Sequence, residues 1–67
     1  MLTYAPRKFR QYRRRSGLSI AEVAKRAHLT PRGVRWIDDG AVPRADTLGR
    51  LASVFKVAVG AFFVTQK

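Results

Sequence analysis

The stretch LSIAEVAKRAHLTPRGVRWIDDG, residues 18–40, decides the fold because two helix starts follow one another within it. Ser19 and Glu22 have the spacing of a capping box, in which each side chain bonds to the backbone N–H of the other residue, so a helix is expected to begin here. The apolar residues that follow have the i, i+3, i+4, i+7 spacing of one helix face. These residues are Ile20, Val23, Ala24 and Ala27.

The second helix start is at Thr30-Pro31. Threonine is a common N-cap residue, and proline is favoured at the first helical position because its missing N–H is not needed there. Gly40 is placed where this helix should stop. Only residues 28–30 separate the two helices, and so short a connection requires a sharp angle between them. The stretch is therefore predicted to be a helix-turn-helix.

The third helix of the chain is predicted to have two different sides. At about 100° per residue, Val34 and Ile37 lie together on one side, while Arg32, Arg35 and Trp36 lie on the other. The first pair would hold the helix to a core. The second set would face outward, which places two arginines and the only tryptophan of the chain on one surface.

The N-terminal part of the chain predicts one more helix. PRKFRQYRRRS indicates a first helix over residues 7–16, and Gly17 is its expected stop. Phe9 and Tyr12 are its apolar residues and share a face. Residues 1–6 are expected to form a short arm before it.

The C-terminal part predicts a fourth helix and one ambiguous segment. The helix should begin at Asp46 or Ala45, and its apolar stripe is Leu48, Leu51, Ala52 and Phe55. The last stretch, VAVGAFFVTQK, is predicted to contain either a short fifth helix near residues 59–63 or a strand. Gly60 weakens the helix, whereas valine, phenylalanine and threonine favour the strand.

Positive charge dominates the composition. The chain has 14 Lys and Arg residues against 4 Asp and Glu, which gives a net charge of +10 over 67 residues. Such a charge attracts polyanions, nucleic acid first and an anionic membrane surface second. The alternative is a basic surface that only keeps the protein soluble.

The residues that are missing exclude several function classes. There is no cysteine, and His28 is the only histidine, so a disulfide or a zinc site is not expected. No nucleophile–base pair, carboxylate dyad or phosphate-binding glycine loop is present, so neither an enzyme nor a cofactor is expected. The longest apolar run, residues 57–64, is well below the roughly 18 residues of a membrane span. The N-terminus lacks the apolar core of a signal peptide, so a cytoplasmic location without membrane contact is expected.

An ordered set of short motifs runs through most of the chain. It consists of Arg13, Gly17-Leu18-Ser19, Val23-Ala24, Ile37-Asp38-Asp39-Gly40, Pro43 and Thr47-Leu48-Gly49-Arg50-Leu51-Ala52. By this order and spacing the chain resembles the Cro/C1-type helix-turn-helix family, also called the XRE family, from Phe9 to Phe63. The resemblance implies an all-α fold, a compact lambda-repressor-like domain of four to five helices over residues 7–63. Residues 64–67 would be a C-terminal tail.

The chain departs from the pattern of that family at three positions. Ile20 stands where the family often has a glutamine that contacts DNA phosphate, so this contact is not expected here. His28 stands where the family often has a glycine with positive φ, which histidine adopts only with some strain. Asp38 replaces a longer glutamate that often pairs with the first-helix arginine, here Arg13. The pair is expected to persist, and two solvated surface charges are the alternative.

The resemblance implies that the third helix is a recognition helix lying in the major groove of duplex DNA. The outward side of the predicted helix agrees with this role. The residues expected to contact base edges are Thr30, Pro31, Arg32 and Arg35. The residues expected to contact phosphate are Arg14, Arg15, Trp36 and Arg44. Arginine can donate two hydrogen bonds to guanine, which discriminates by about 1–3 kcal/mol.

Two residues of the third helix have two interpretations each. The Trp36 indole N–H could reach a phosphate, or the ring could pack against the first helix or the loop that follows the third helix. Gly33 could permit close approach of a partner surface, or it could simply be tolerated in a short helix at a cost of about 1 kcal/mol relative to alanine.

The predicted function is a DNA-binding transcriptional regulator, a repressor that binds a pseudo-palindromic operator as a homodimer. Phe62, Phe63 and Val64 are expected at the dimer interface, because so many adjacent apolar groups should stay partly exposed on a monomer. One alternative is an antitoxin or adaptor whose C-terminal apolar surface binds a protein partner. Another is binding of nucleic acid by charge alone, without a preferred sequence.

Overall fold

Four α-helices make up most of the protein, whose computed structural model describes residues 1–65. They are α1 (Pro6–Ser16), α2 (Ile20–Ala27), α3 (Pro31–Asp38) and α4 (Ala45–Phe55). A 3-10 helix, Val59–Phe62, follows α4, and two short strands, β1 (Leu2–Tyr4) and β2 (Phe63–Thr65), form an antiparallel pair. The predicted helical class is confirmed, with a small sheet added to it.

The two ends of the domain are joined by the β1–β2 pair. Leu2 lies opposite Thr65 and Tyr4 opposite Phe63, and Ala5 is buried next to them. Of the segment predicted as an arm over residues 1–6, Tyr4 and Ala5 are buried, whereas Met1 and Leu2 remain exposed. The ambiguous C-terminal stretch contains both predicted elements in succession, the helical turn and then the strand. The tail predicted over residues 64–67 begins inside β2, and residues 66 and 67 lie outside the described part of the chain.

The helix starts have the predicted capping bonds. The Ser19 hydroxyl oxygen accepts from the Glu22 N–H at 3.1 Å, and the Glu22 carboxylate accepts from the Ser19 N–H at 3.0 Å. The Thr30 hydroxyl oxygen accepts from the Gly33 N–H at 3.0 Å. Between the two helices, His28 ends α2 in the left-handed conformation, with φ 58° and ψ 44°. The predicted helix-turn-helix is thus confirmed, and both of its helices begin at the predicted N-cap residues.

The core lies where the apolar sides of the helices converge. Its largest completely buried side chains are Phe9, Phe62, Leu51, Val23 and Val34. Phe55 packs edge-on against the Phe9 ring at a centroid distance of 5.7 Å and against Phe62 at 6.3 Å. The 3-10 helix turns the chain back over α1 and α4, which places Phe62 in this aromatic group.

The burial of Phe62 corrects the prediction that placed it in a dimer interface. Its side chain is 0% exposed within one copy of the chain, so it is not available to a partner. Phe63 packs on Tyr4 at a centroid distance of 5.9 Å, and both Phe63 and Val64 are half-buried. The apolar C-terminal residues are therefore used mainly to close the domain itself.

Within residues 1–65, no helix has both the length and the apolar character that a membrane crossing requires.

Candidate nucleic-acid interface

Helix α3 has a buried side and an exposed side, as its sequence predicts. Val34 is 0% exposed and Ile37 is 6% exposed, so both belong to the core. Arg32 and Arg35 are exposed, and Trp36 is 70% exposed. This exposure excludes the interpretation in which the Trp36 ring is packed against α1. The three exposed residues define what we call the outer face of α3.

The N-terminal end of α3 presents Thr30 and Pro31, both of them exposed. The Thr30 oxygen already accepts the capping bond from Gly33, and its hydroxyl proton remains free to donate. A Cβ atom at position 33 would lie 3.1 Å from the Thr30 Oγ1 atom, closer than most Cβ contacts in proteins. Glycine at this position therefore leaves the cap undisturbed.

The C-terminal end of α3 is fixed to α1 by two arginines. The Arg13 Nε atom donates to the Asp38 Oδ1 atom at 3.0 Å, and the Arg10 guanidinium donates to the Asp38 backbone carbonyl at 2.8 Å. Arg13 also donates to the Leu18 carbonyl at 3.4 Å, in the connection between α1 and α2. Charge-assisted bonds of this kind are stronger than neutral ones. They join the C-terminal end of α3 to α1.

Arg14 and Arg15 lie on different sides of α1. Arg14 is one helical turn after Arg10 and so shares the side of α1 that contacts α3. The Arg15 guanidinium lies over the Tyr12 ring, 5.6 Å from its centroid. Tyr12 in turn packs against Phe62 at 5.8 Å. Of the two predicted phosphate contacts from α1, only Arg14 is therefore on the same side as α3.

A groove runs beside α3, between that helix and the loop to α4. Gly33, Trp36 and Ile37 of α3 line it, together with Val42 and Pro43 of the loop. Its volume is about 410 Å³. The predicted phosphate contact Arg44 is exposed and also lines this groove. We call this feature the Trp36 groove.

Asp39 also lies on the outer surface of α3, a position that was not predicted from the sequence. Its exposed carboxylate lines the same surface as Arg32, Arg35 and Trp36. The signal was present in the sequence, because Asp39 follows Arg35 by four residues and Arg32 by seven. An acidic group beside these arginines is a potential acceptor for the amino group of cytosine.

A second basic surface lies between α2 and α4 and shares no lining residue with the outer surface of α3. Arg26, His28 and Arg50 line it, and the Arg50 guanidinium donates to the His28 carbonyl at 3.5 Å. Asp46 is on the same surface and offsets part of its charge. Unlike the outer face of α3, this surface includes no large exposed apolar side chain among the described residues.

The perturbed titrating groups lie elsewhere. Burial raises the pKa of the Tyr4 hydroxyl to about 12, and the nearby Arg10 charge offsets part of the shift. Hydrogen bonds from the backbone and side chain of Ser19 lower the pKa of Glu22. Among the described residues, no group of three or more His, Cys, Asp or Glu side chains could hold a metal ion. The chemistry available on the outer face of α3 is hydrogen bonding, charge and apolar contact.

These features define a DNA-binding helix-turn-helix protein. A short capped helix is held by its inner side and presents basic residues on its outer side, on a chain of high positive charge. The helix-turn-helix domain family matches residues 7–61, and the chain belongs to that family. No curated protein sequence matches the chain closely enough to add a relative.

Proposed function

We propose that this protein is a transcriptional regulator of the Cro/C1 type that binds a specific duplex DNA sequence and acts as a repressor. The observation that carries the proposal is the outer face of α3. Arg32, Arg35 and Trp36 are exposed there, while Arg13 and Arg10 fix the end of the same helix. An α-helix fits the major groove, where each base pair presents a distinct pattern of donors and acceptors.

In this proposal, four residues contact base edges. Arg32 and Arg35 donate to guanine O6 and N7. The Thr30 hydroxyl donates its free proton to a base acceptor, and Pro31 supplies apolar contact. Recognition helices of this class contact bases mainly through their N-terminal residues. Thr30 caps α3, Pro31 and Arg32 lie in its first turn, and Arg35 lies about one turn further along the same outer side.

Phosphate contacts on both sides of α3 position this helix in the major groove of the DNA. Arg14 on α1 and Arg44 before α4 supply charge, and the Trp36 indole N–H donates to a phosphate at the edge of the groove. Arg15 lies on the other side of α1 and adds to the general field. Such contacts fix the register and make the affinity depend on salt without selecting a sequence.

The short length of α3 supports a dimer. Eight residues span about 12 Å, which is the rise of only three to four base pairs. Two copies on a pseudo-palindromic site would place their recognition helices about 34–36 Å apart, in successive major grooves. Phe63 and Val64 remain partly exposed and are the candidates for this contact from the predicted set. Repression follows when the bound dimer blocks access of polymerase.

The structure weakens the first alternative predicted from the sequence. An antitoxin or adaptor function depended on a C-terminal apolar surface for a protein partner, and Phe62 is buried in the core. Binding by charge alone needs no capped helix with a defined outer face, yet the chain has one. Sequence-specific DNA binding is thus the function that the geometry supports best.

Selection from a pool of random DNA duplexes at near-physiological salt tests the proposal. The bound fraction of the wild-type protein should be enriched in an inverted repeat whose half-sites are about one helical turn apart. The Arg15→Ala variant serves as a control and should select the same repeat, because Arg15 lies away from α3. A pool that stays random despite tight binding at low salt would contradict the proposal. Light scattering with and without the selected duplex then reports the stoichiometry.

A further inference from the structure

We infer that the Trp36 groove receives the 5-methyl group of a thymine, and that the preferred site therefore has a thymine at a fixed position beside the bases contacted by Arg32 and Arg35. This inference rests on the proposed DNA binding and adds to it a preference for thymine that comes from contact with its methyl group rather than from hydrogen bonds. Two large apolar side chains that the core leaves exposed support it.

Trp36 and Val42 are each 70% exposed, although both are large apolar residues. They come from different elements, α3 and the loop after it, and both line one groove. Exposed apolar groups that line a common groove on a small domain are typical of a binding site rather than of scattered surface residues. The groove is therefore expected to be covered when the protein is bound to its partner.

The surrounding charge identifies the class of partner. Arg32 and Arg35 line the outer face together with Trp36, and Arg44 lines the groove. An occupant must bring an apolar group into a strongly positive surface, so its remaining parts should be negative. Duplex DNA satisfies both conditions, because its backbone is anionic and the thymine methyl is exposed in the major groove.

The lining of the groove is suited to a small apolar group. It includes the apolar side chains of Trp36, Ile37 and Val42, while Gly33 contributes no side chain to it. Ile37 is itself 6% exposed. A methyl group in this groove would be covered on several sides by carbon atoms. Burying one such group is expected to strengthen binding about fourfold.

Replacement of single thymines by deoxyuridine is the direct test, because it removes the methyl group and keeps every hydrogen-bonding atom. Each thymine of the selected duplex is replaced in turn, and the dissociation constant is measured for the wild-type protein. We expect a loss of about fourfold at one or two thymines per half-site and no change at the others. Equal affinity for all the substituted duplexes would overturn the inference while leaving sequence-specific binding intact. Failure to select any preferred sequence would contradict both.

Protein variants locate the effect. Trp36→Ala should bind the thymine and deoxyuridine duplexes equally, and Val42→Ser should reduce the difference between them. Trp36→Phe keeps a large apolar side chain but lacks the indole N–H. The difference in affinity between the thymine and deoxyuridine duplexes should therefore persist in this variant, even if its affinity for all duplexes falls. The Arg15→Ala control should retain the full difference.

Two results would overturn the assignment to Trp36. In the first, Trp36→Ala retains the wild-type sensitivity to deoxyuridine. In the second, Trp36→Ala shifts the monomer–dimer equilibrium while no thymine position is sensitive, which would indicate that a second copy of the chain fills the groove.

Discussion

The inner and outer sides of α3 belong to one helix of eight residues, but they differ in what they contact. On the inner side, Val34 and Ile37 fill the core. On the outer side, Arg32, Arg35 and Trp36 touch little of the domain. The helix is thus kept in place by contacts on its inner side, which leaves the residues on its outer side available to a partner. Stability and DNA binding should therefore respond to different substitutions.

Asp38 lies at the boundary between the two sides. Its carboxylate and its backbone carbonyl both accept bonds from α1, so it joins the end of α3 to the rest of the domain. Asp39, the next residue, points to the outer surface. Two adjacent acidic residues thus differ in their surroundings: Asp38 bonds to α1, and Asp39 lies on the surface that also carries Arg32 and Arg35.

The largest effect is expected on the inner side. Ile37→Ala should lower the free energy of unfolding by about 2–5 kcal/mol, because it removes buried carbon atoms and leaves a cavity. Urea denaturation of the two variants Ile37→Ala and Trp36→Ala measures the contrast. Trp36→Ala should change the free energy of unfolding by no more than about 0.5 kcal/mol, as surface substitutions usually do. Similar losses in both variants would mean that α3 does not have two independent sides.

The outer side should dominate in DNA binding. Arg35→Ala should cost about 1–3 kcal/mol at the preferred site and relax the preference at one base pair in each half-site. Arg14→Ala should weaken binding to all sequences alike and reduce the dependence of log K on log salt by about 1. Titrations of preferred and scrambled duplexes at several salt concentrations compare the two variants. Indistinguishable behaviour would contradict the division between base and phosphate contacts.

At the boundary a smaller effect is expected. Asp38→Asn should lower the free energy of unfolding, because it removes the negative charge that pairs with Arg13. The loss should be only about 1 kcal/mol, because the ion pair is partly exposed and screened by solvent. A double-mutant cycle with Arg13→Gln isolates the coupling between the two side chains. If the two substitutions have additive effects, the pair does not hold α3 to α1.

The smallest effect concerns Tyr4, which lies on β1 and away from α3. Its buried hydroxyl has no hydrogen-bond partner among the described residues, so Tyr4→Phe should raise the free energy of unfolding by up to about 1 kcal/mol. The folded state favours the neutral phenol, whose pKa is raised from 10.0 to about 12. The wild-type protein should therefore lose stability as the pH rises from 10 toward 12, and Tyr4→Phe should lose less.

Urea denaturation of both proteins at pH 8 and pH 11 provides the measurement for Tyr4. DNA affinity near pH 7 should be the same for the two proteins. A fall in stability in the Phe variant at pH 8 would show that the hydroxyl is satisfied in solution.

The helical part of the fold could be predicted because its signals are local. The capping box at Ser19, the Thr30-Pro31 start and the apolar spacing of α2 and α4 each depend on residues within a few positions of one another. The β1–β2 pair could not be predicted. Each strand has only three residues, too few for an alternating pattern, and the partners lie at opposite ends of the chain.

The site was partly predictable for the same reason. The outer face of α3 follows from helix periodicity, which needs no tertiary information. The burial of Phe62 depends on how the 3-10 helix returns over α1 and α4, and sequence adjacency to Phe63 wrongly suggested a shared surface. The Trp36 groove requires the loop at Val42 to lie beside α3, which spacing alone does not specify.

An NMR titration of the ¹⁵N-labelled protein with the selected duplex tests most directly whether DNA lies on the outer face of α3. We expect the largest shifts at the amides of residues 30 and 32–36 and at the Trp36 indole N–H, with small shifts at Arg26, His28 and Arg50. The opposite distribution, with the largest shifts on the surface between α2 and α4, would contradict this placement of the DNA.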